Sequence, residues 1–549
     1  MNASPEASGL FWCRHLLSLM DRDPDSPTAG CVDRKYWAWR ARDFADATLQ
    51  YAAVPLLKAA AAPGTGLGED ERRHFFEAAQ LAAHFLLRIQ HRNGSLDQCY
   101  PHERHPGVVL DVLPLWLRLL GDHGPDLEPG LRSGLERGVE RGLGFVLRTR
   151  EDYALISNHL AHFAWVLLEA DRLLGRPGCR SLADEYLERL LAGQSSEGWH
   201  AEYGGPDPGY QTRTLSYLAR VLELRPDATL RDSAQRAAEF LLPFAYPDGT
   251  FGNEMGSRGT SLVYPYGLAA LSGQSPAASA LLRFRERSRE EGRGVELHHL
   301  DLDNLIRVLD DEMDASEARR TVAPVPPVDL PWEREDWAAD YPQAGISVRR
   351  RHWYYALAHL RKGGLLKVYN VAERRAVHAD TGWVCRRDGE AWSNHLLQDS
   401  AAVRQEPDLA AVECRFHRPL HAVLTPARMV VLRLCNLTLW RVQALADLAR
   451  RVLVRLLFSG RRPGDMVFRR TIAWGPEITV ETTVDWPGGG KRSFRATTRF
   501  NPAPMASAKY YQVAEAGLVE RDGEFVLESG QPVAERIGPR GPSAGTGEE

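Results

Sequence analysis

Gln90-His-Arg-Asn-Gly94-Ser-Leu96 returns in altered form as Gln194-Ser-Ser-Glu-Gly198-Trp199, and Pro247-Asp-Gly249-Thr-Phe251 places its glycine 51 residues after Gly198. Each stretch sets a glycine in a turn ahead of an aromatic or aliphatic residue, and recurrence at such a period signals a repeat architecture. Working outward, helix-like stretches open at Pro106, Asn158, Pro208 and Thr260, at spacings of 52, 50 and 52 residues. Bulky apolar residues stand seven and ten places into three of them: Leu113 and Trp116, Trp165 and Leu168, Leu215 and Leu218. The fourth carries Gly267 and Ala270 there. Between the turns, Asp70 to Gln90, Leu131 to Arg148, Leu182 to Leu191 and Leu230 to Leu242 repeat apolar residues at three and four places, the helical period. Asp46 to Ala60 reads as a further helix at longer spacing. A helical hairpin of this length cannot bury its apolar face alone, so the units stack and curve into an α/α toroid, whole or in part.

The texture changes at Val322-Ala-Pro-Val-Pro-Pro-Val328, where proline density ends the helical period. Short β-branched and aromatic runs follow, among them Ile346-Ser-Val-Arg-Arg350, Trp353-Tyr-Tyr-Ala-Leu-Ala-His-Leu360, Gly364-Leu-Leu-Lys-Val-Tyr369 and Ile478-Thr-Val-Glu-Thr-Thr-Val484. Separated by turn residues, they predict an antiparallel sandwich. The expected fold class is therefore multidomain α + β. An N-terminal α/α toroid of helical hairpins spans 1–312, a Pro-rich linker 313–345 and a C-terminal antiparallel β-sandwich 346–529. The tail 530–549, rich in Gly, Pro and Glu, is expected to be disordered. Leu437 to Leu457 reads as one amphipathic helix packed on a sheet face or against the toroid.

Composition narrows the function. The chain has 549 residues, and 68 Lys plus Arg against 72 Asp plus Glu leave a net charge of −4, so no general basic excess drives binding to nucleic acid. No run of about 18 uncharged apolar residues suggests a transmembrane segment. The start at Leu10-Phe11-Trp12 is broken by Arg14 and His15 before a signal-peptide core forms. Seven dispersed cysteines without a CxxC pair argue for reduced thiols, and the expected location is cytoplasmic. No P-loop, GxSxG or dinucleotide fingerprint occurs.

A toroid places the mouths of its hairpins around one cavity, so polar residues at equivalent turns should line it. After the corresponding glycines come Asp97, Glu202 and Glu254, with Tyr203, Asp207, Tyr210, Gln211 and Arg258 nearby. Aromatics, amides and charges of this kind suit a sugar ligand, or they cap helices and satisfy turns. Arg258 pairs either with a substrate carboxylate or with Glu254. Asn158 and His159, with Tyr210 in the next repeat, suit β-elimination from a uronic acid: donors neutralise the carboxylate and acidify the adjacent C–H, and a tyrosinate takes the proton.

Asn158-His159, then Asp207-Pro-Gly-Tyr210-Gln211, then Phe251-Gly-Asn-Glu-Met-Gly-Ser-Arg258, and finally Val377-His378-Ala379-Asp380 in the strand-rich half resemble the heparinase II/III-like group of polysaccharide lyases. The resemblance implies a toroid joined to a β-sandwich and cleavage of an acidic polysaccharide or oligosaccharide by elimination. Carried over, Asn158 and His159 neutralise the carboxylate and Tyr210 serves as base or acid, while Glu202, Tyr203, Asp207, Gln211 and Arg258 contact substrate. The group's sandwich motif commonly reads His-x-His-Ala-Asp, and its first place is Ala376 here; the Tyr-His pair of the group is also missing beside Tyr210. His378 and Asp380 would hold zinc if a metal is present, although no cofactor is required for the reaction.

Three alternatives stay open. One is a non-catalytic glycan-binding or polysaccharide-biosynthesis accessory protein. Another is a toroid enzyme of the terpene-cyclase type, to which Asp301-Leu-Asp-Asn304 is a partial match. The third is a hydrolase using Glu202 and Asp207 as its carboxyl pair, whose separation sequence does not give. Oligomeric state is not legible.

Overall fold

The computed structural model describes residues 5–62, 67–149, 155–419, 425–454, 461–498, 508–517 and 524–544. Its first half is a closed ring of six inner helices, Ala53–Ala61, Pro106–His123, Ser157–Leu174, Pro208–Leu224, Pro265–Leu271 and Leu302–Thr321, each touching the next and the last touching the first. Outer helices Glu69–Ile89, Pro129–Arg148, Cys179–Ala192, Ala228–Leu241 and Pro276–Glu290 alternate with them along the chain. Local chemistry sets the starts. Five of these helices open on a proline at their first turn, where the missing N–H costs nothing. Side chains of Asp207, Asp227, Ser275 and Asp301 cap helix N-termini. Leu113, Trp116, Trp165, Leu168, Leu215 and Leu218 are all buried. Ring closure uses charge, with Lys58 paired to Asp310 and Asp314 and the Tyr51 hydroxyl donating to Asp310 at 2.7 Å.

The repeated turns are latches between repeats. Gln90 Nε2 donates to Gly94 O at 3.2 Å within its own turn and to Gly138 O at 2.9 Å on the next outer helix, and Arg141 donates to Gln90 Oε1. Gln194 repeats the pattern with Gly198 O, Ser233 O and Arg236 at 2.8, 2.9 and 2.7 Å. Gly94 and Gly198 adopt φ of +93° and +100°, and a Cβ there would lie 2.0 Å from Arg141 O and 2.4 Å from Arg236 O. Only glycine allows both the left-handed backbone and so close an approach. At Gly249 the glutamine position is Ala245, so the third turn lacks this latch.

The second half is strand-rich. Strands β1 (Trp337–Tyr341), β2 (Ile346–Arg351), β3 (Tyr354–His359), β4 (Leu365–Asn370) and β5 (Arg375–Asp380) form one antiparallel sheet in chain order. A larger antiparallel sheet contains β6 (Trp383–Arg387), β7 (Glu390–Ser393), β8 (Ala402–Glu406), β9 (Leu409–Pro419), β10 (Arg461–Trp474), β11 (Ile478–Asp485), β12 (Lys491–Ala496), β13 (Glu524–Glu528), β14 (Val533–Gly538) and β15 (Gly541–Ala544). Every residue of β3 and β4 is buried. Alternation divides them: Tyr354, Ala356, Ala358, Leu366 and Val368 join the core between the sheets, while Tyr355, Leu357, Leu365 and Tyr369 join the toroid core. The first sheet is thus the middle layer, and the Tyr355 hydroxyl donates to Pro243 O at 2.7 Å.

Four expectations need correction. The helix Leu302–Thr321 runs through the boundary placed at 312, and β1 begins inside the expected linker. The tail supplies β14, paired with β11, and β15, because Val533 to Ile537 alternates across the ladder despite its polar composition; residues 545–549 lie outside the described residues. The fourth of the repeat openings read from the sequence lies at Pro265, the start of the fifth inner helix, not at Thr260: residues 260–264 run without regular structure, and Tyr264 N–H donates to Thr212 Oγ1. Finally, the stretch read as one helix from Leu437 to Leu457 holds the last residue of a helix Pro426–Leu437, a 3-10 turn at Leu439–Arg441 and a second helix Gln443–Val454, with residues 455–457 outside the described residues, and much of the two helices' apolar surface is exposed.

Candidate functional site

Asn158 sits in the first turn of the helix Ser157–Leu174, but it does not cap that helix. Its backbone N–H and its side-chain amide both donate to Glu202 Oε1, at 2.8 and 2.9 Å, so a carboxyl from the following repeat meets the helix N-terminus. Both residues are buried. Burial raises the Glu202 carboxyl to about 7 against the two Asn158 hydrogen bonds that favour its charged form. Its second oxygen, Oε2, is buried without a hydrogen-bond partner. Beside them, His159 is half-buried, with its ring 5.5 Å from that of Phe163.

Tyr203 follows Glu202 at φ +54°, a strained conformation for a side chain of that size. Its ring lies against Arg258, whose guanidinium carbon is 4.6 Å from the Tyr203 centroid and 5.9 Å from that of Tyr210. Burial alone would lower the arginine's pKa; Tyr210, Tyr203, Asp207 and Glu202 together outweigh it and hold the charge. Asn158, Glu202, Tyr203, Tyr210 and Arg258 therefore form one continuous group at the toroid rim. Ser257 Oγ fastens the Arg258 loop by donating to Glu202 O at 2.7 Å.

Asp207 and Gln211 hold the frame. Asp207 caps the helix Pro208–Leu224 through Tyr210 N–H at 3.0 Å, and its other oxygen accepts the N–H groups of Arg258 and Thr260 at 2.9 and 3.4 Å. Its carboxyl is fully committed to backbone, which removes the basis for pairing it with Glu202 as a hydrolase. Gln211 accepts His200 N–H at 3.0 Å and its amide meets His200 Nδ1 at 2.9 Å. Asp301 caps the helix Leu302–Thr321 and accepts the Tyr510 hydroxyl, so it serves as a helix cap.

Arg258 does not pair with Glu254. Glu254 instead binds Lys367 at 2.9 Å and lies 3.6 Å from Lys509; these two cations outweigh burial and hold its carboxyl down at about 2. Lys362 donates to Glu254 O and Gly256 O at 2.6 and 2.8 Å, and burial with the nearby Lys509 charge pushes it down to about 8. These three lysines, all from the strand-rich half, fix the Arg258 loop and were missed in the sequence. One signal was there: Lys367 interrupts an apolar strand, and a charge in such a run requires a buried partner.

His378 and Asp380 lie on β5. His378 Nδ1 is 3.5 Å from Glu535 Oε1, whereas Asp380 accepts Arg470 at 2.6 Å, Gly382 N–H at 2.9 Å and Trp383 Nε1 at 3.2 Å. Among the described residues no three His, Cys, Asp or Glu side chains converge as a metal-binding group. A carboxylate neutralised by arginine does not fit a zinc donor set.

No family model matches the chain, and no curated protein matches it. Among solved structures it is similar to a heparinase III gene product, at 11% identity and a TM-score of 0.43, over 90% of this chain and 72% of that one. A heparan sulfate lyase mutant from Pedobacter heparinus gives 9% identity and a TM-score of 0.43 over the same shares. A family 88 glycosyl hydrolase from Bacteroides vulgatus gives 11% and 0.37, over 56% of this chain and 99% of its own.

Proposed function

We propose that this protein acts on an acidic, uronate-containing polysaccharide or oligosaccharide by β-elimination, with substrate contacted by Arg258, Tyr210, Tyr203 and His159. The observation that supports this reading most is the Arg258 cation held against the rings of Tyr203 and Tyr210, beside the Asn158–Glu202 pair. A guanidinium there neutralises a uronate carboxylate and so acidifies the C–H next to it. The Tyr210 oxygen takes that proton as the C=C bond forms and the glycosidic C–O bond breaks, then returns it to the departing oxygen. Tyr210 starts this cycle as the phenolate, and the Arg258 cation beside its ring stabilises that charge, which is lost on taking the proton and regained on returning it. Asn158, only 2% exposed, acts through Glu202 as a positioning residue.

The same burial favours a second reading, a non-catalytic glycan-binding or polysaccharide-biosynthesis accessory protein, because the amide is spent on Glu202. The experiment that separates them follows the ultraviolet absorbance of unsaturated uronate ends across a panel of acidic polysaccharides. Appearance of such ends supports elimination. Saturable binding without them assigns the second reading, and neither result would remove the glycan from both.

A further inference from the structure

The connection between β9 and β10 carries the helices Pro426–Leu437 and Gln443–Val454. Sixteen large apolar side chains stand exposed among the described residues, and ten of them fall between Met429 and Val452. Val430, Val431, Leu434, Leu439, Val442 and Leu448 are each more than half exposed. Scattered apolar side chains need no explanation, but this concentration marks a contact surface.

The hairpin's other side is already anchored. Trp440 is buried with its ring 5.1 Å from that of Tyr100, Ala446 is buried, and Arg433 pairs with Asp43 at 3.2 Å. The toroid therefore holds the two helices in place while their apolar faces point outward. Between 425 and 454 the chain has five arginines against the single acid Asp447, and apart from the anchoring Arg433, Arg428, Arg441 and Arg451 stand exposed, within a protein of net charge −4. Apolar surface flanked by concentrated positive charge is complementary to an anionic lipid headgroup layer. Each helix has 12 residues, about 18 Å at 1.5 Å per residue, well short of the roughly 30 Å hydrocarbon core. No described helix is long and apolar enough to cross a membrane. A second copy of the chain is the weaker occupant, because a two-fold contact through this face would bring arginine toward arginine.

We propose that this hairpin lies flat on an anionic bilayer surface and seats the protein there by its apolar faces and arginines. The test is sedimentation of the full chain with vesicles of phosphatidylcholine, with and without phosphatidylglycerol, at rising salt. The expected result is pelleting with the anionic vesicles alone, weakened by salt. Arg441→Gln and Arg451→Gln should each lower the partition coefficient roughly fivefold, the worth of one basic residue near such a surface. Val430→Asp with Leu448→Asp should abolish binding while leaving the circular dichroism melt unchanged, since both sites are exposed. Wild-type protein that stays in the supernatant overturns the proposal, and so does equal binding to pure phosphatidylcholine. A dimer in solution that the double aspartate variant dissociates, without vesicle binding, assigns the face to a second copy and overturns it too.

Discussion

Replacing Glu202 by glutamine isolates one buried proton. The folded protein keeps that proton up to about 7, whereas an ordinary glutamate, as in the unfolded chain, releases it near 4.5. Below 4.5 both states are protonated and the carboxyl makes no pH-dependent difference. Between 4.5 and about 7 the unfolded chain has lost a proton that the folded chain retains, so stability falls as pH rises; above 7 the whole penalty is present. That interval, at about 1.36 kcal/mol per pH unit, amounts to about 3 kcal/mol. Glutamine keeps an acceptor for the two Asn158 donors and never ionises. Glu202→Gln should therefore match the wild type near pH 4 and exceed it by about 3 kcal/mol near pH 8. Spread over 549 residues at about 2.1 cal/mol/K each, this is a rise of about 3 °C in melting temperature. Differential scanning calorimetry at pH 4, 6 and 8 reads it. A gain that is the same at every pH, or that grows toward acid, would refute the assignment of a buried, proton-retaining carboxyl.

Tyr210→Phe should lower elimination by about 10²- to 10⁴-fold while glycan affinity, read by calorimetry, stays nearly unchanged; affinity lost in step with rate would show that the hydroxyl only binds. Arg258→Met should weaken binding of a uronate oligosaccharide by about tenfold or more, the scale of a lost charged hydrogen bond, and leave a neutral, reduced analogue unaffected. Gly198→Ala should lower stability by at least about 2 kcal/mol, because its Cβ would meet Arg236 O at 2.4 Å. Gly175→Ala is the control: its φ is +56° but no atom lies within 4 Å, so it should cost about 1 kcal/mol. Equal thermal shifts in the two variants would contradict the latch.

The ring of hairpins was legible because its signal is periodic: the helix openings and the buried apolar pair recur every 50 to 52 residues, the turn glycines fall at one or two such periods, and each has a local physical reason. Helix ends were less legible. Pro265 at a first helical turn is a stronger marker than Thr260, and the even spacing hid it. The strand Val533–Gly538 alternates as a strand should, yet flanking glycines and prolines made the segment look unfolded until β11 offered a partner. Asn158 and His159 were singled out by their place at a repeat opening, but the bond from Asn158 to Glu202 joins residues 44 positions apart and has no local trace. Lys362 and Lys509 were invisible for the same reason, since their partner loop lies in the other half of the chain. The apolar period of the arginine-rich hairpin showed which face is hydrophobic. Period says nothing about what covers that face.

The latches also order events in time. Gln90 takes partners at 138 and 141, and Gln194 takes partners at 233 and 236, so each turn is completed by a segment about 40 to 50 residues downstream. A chain emerging from a ribosome cannot finish one unit until the next outer helix has been made, which at roughly 5–20 residues per second is a delay of about 2–10 s. At these two turns assembly of the ring therefore trails synthesis by one hairpin. Its final seam, where Lys58 and Tyr51 meet Asp310 and Asp314, closes only after more than 250 residues have followed the first partner out.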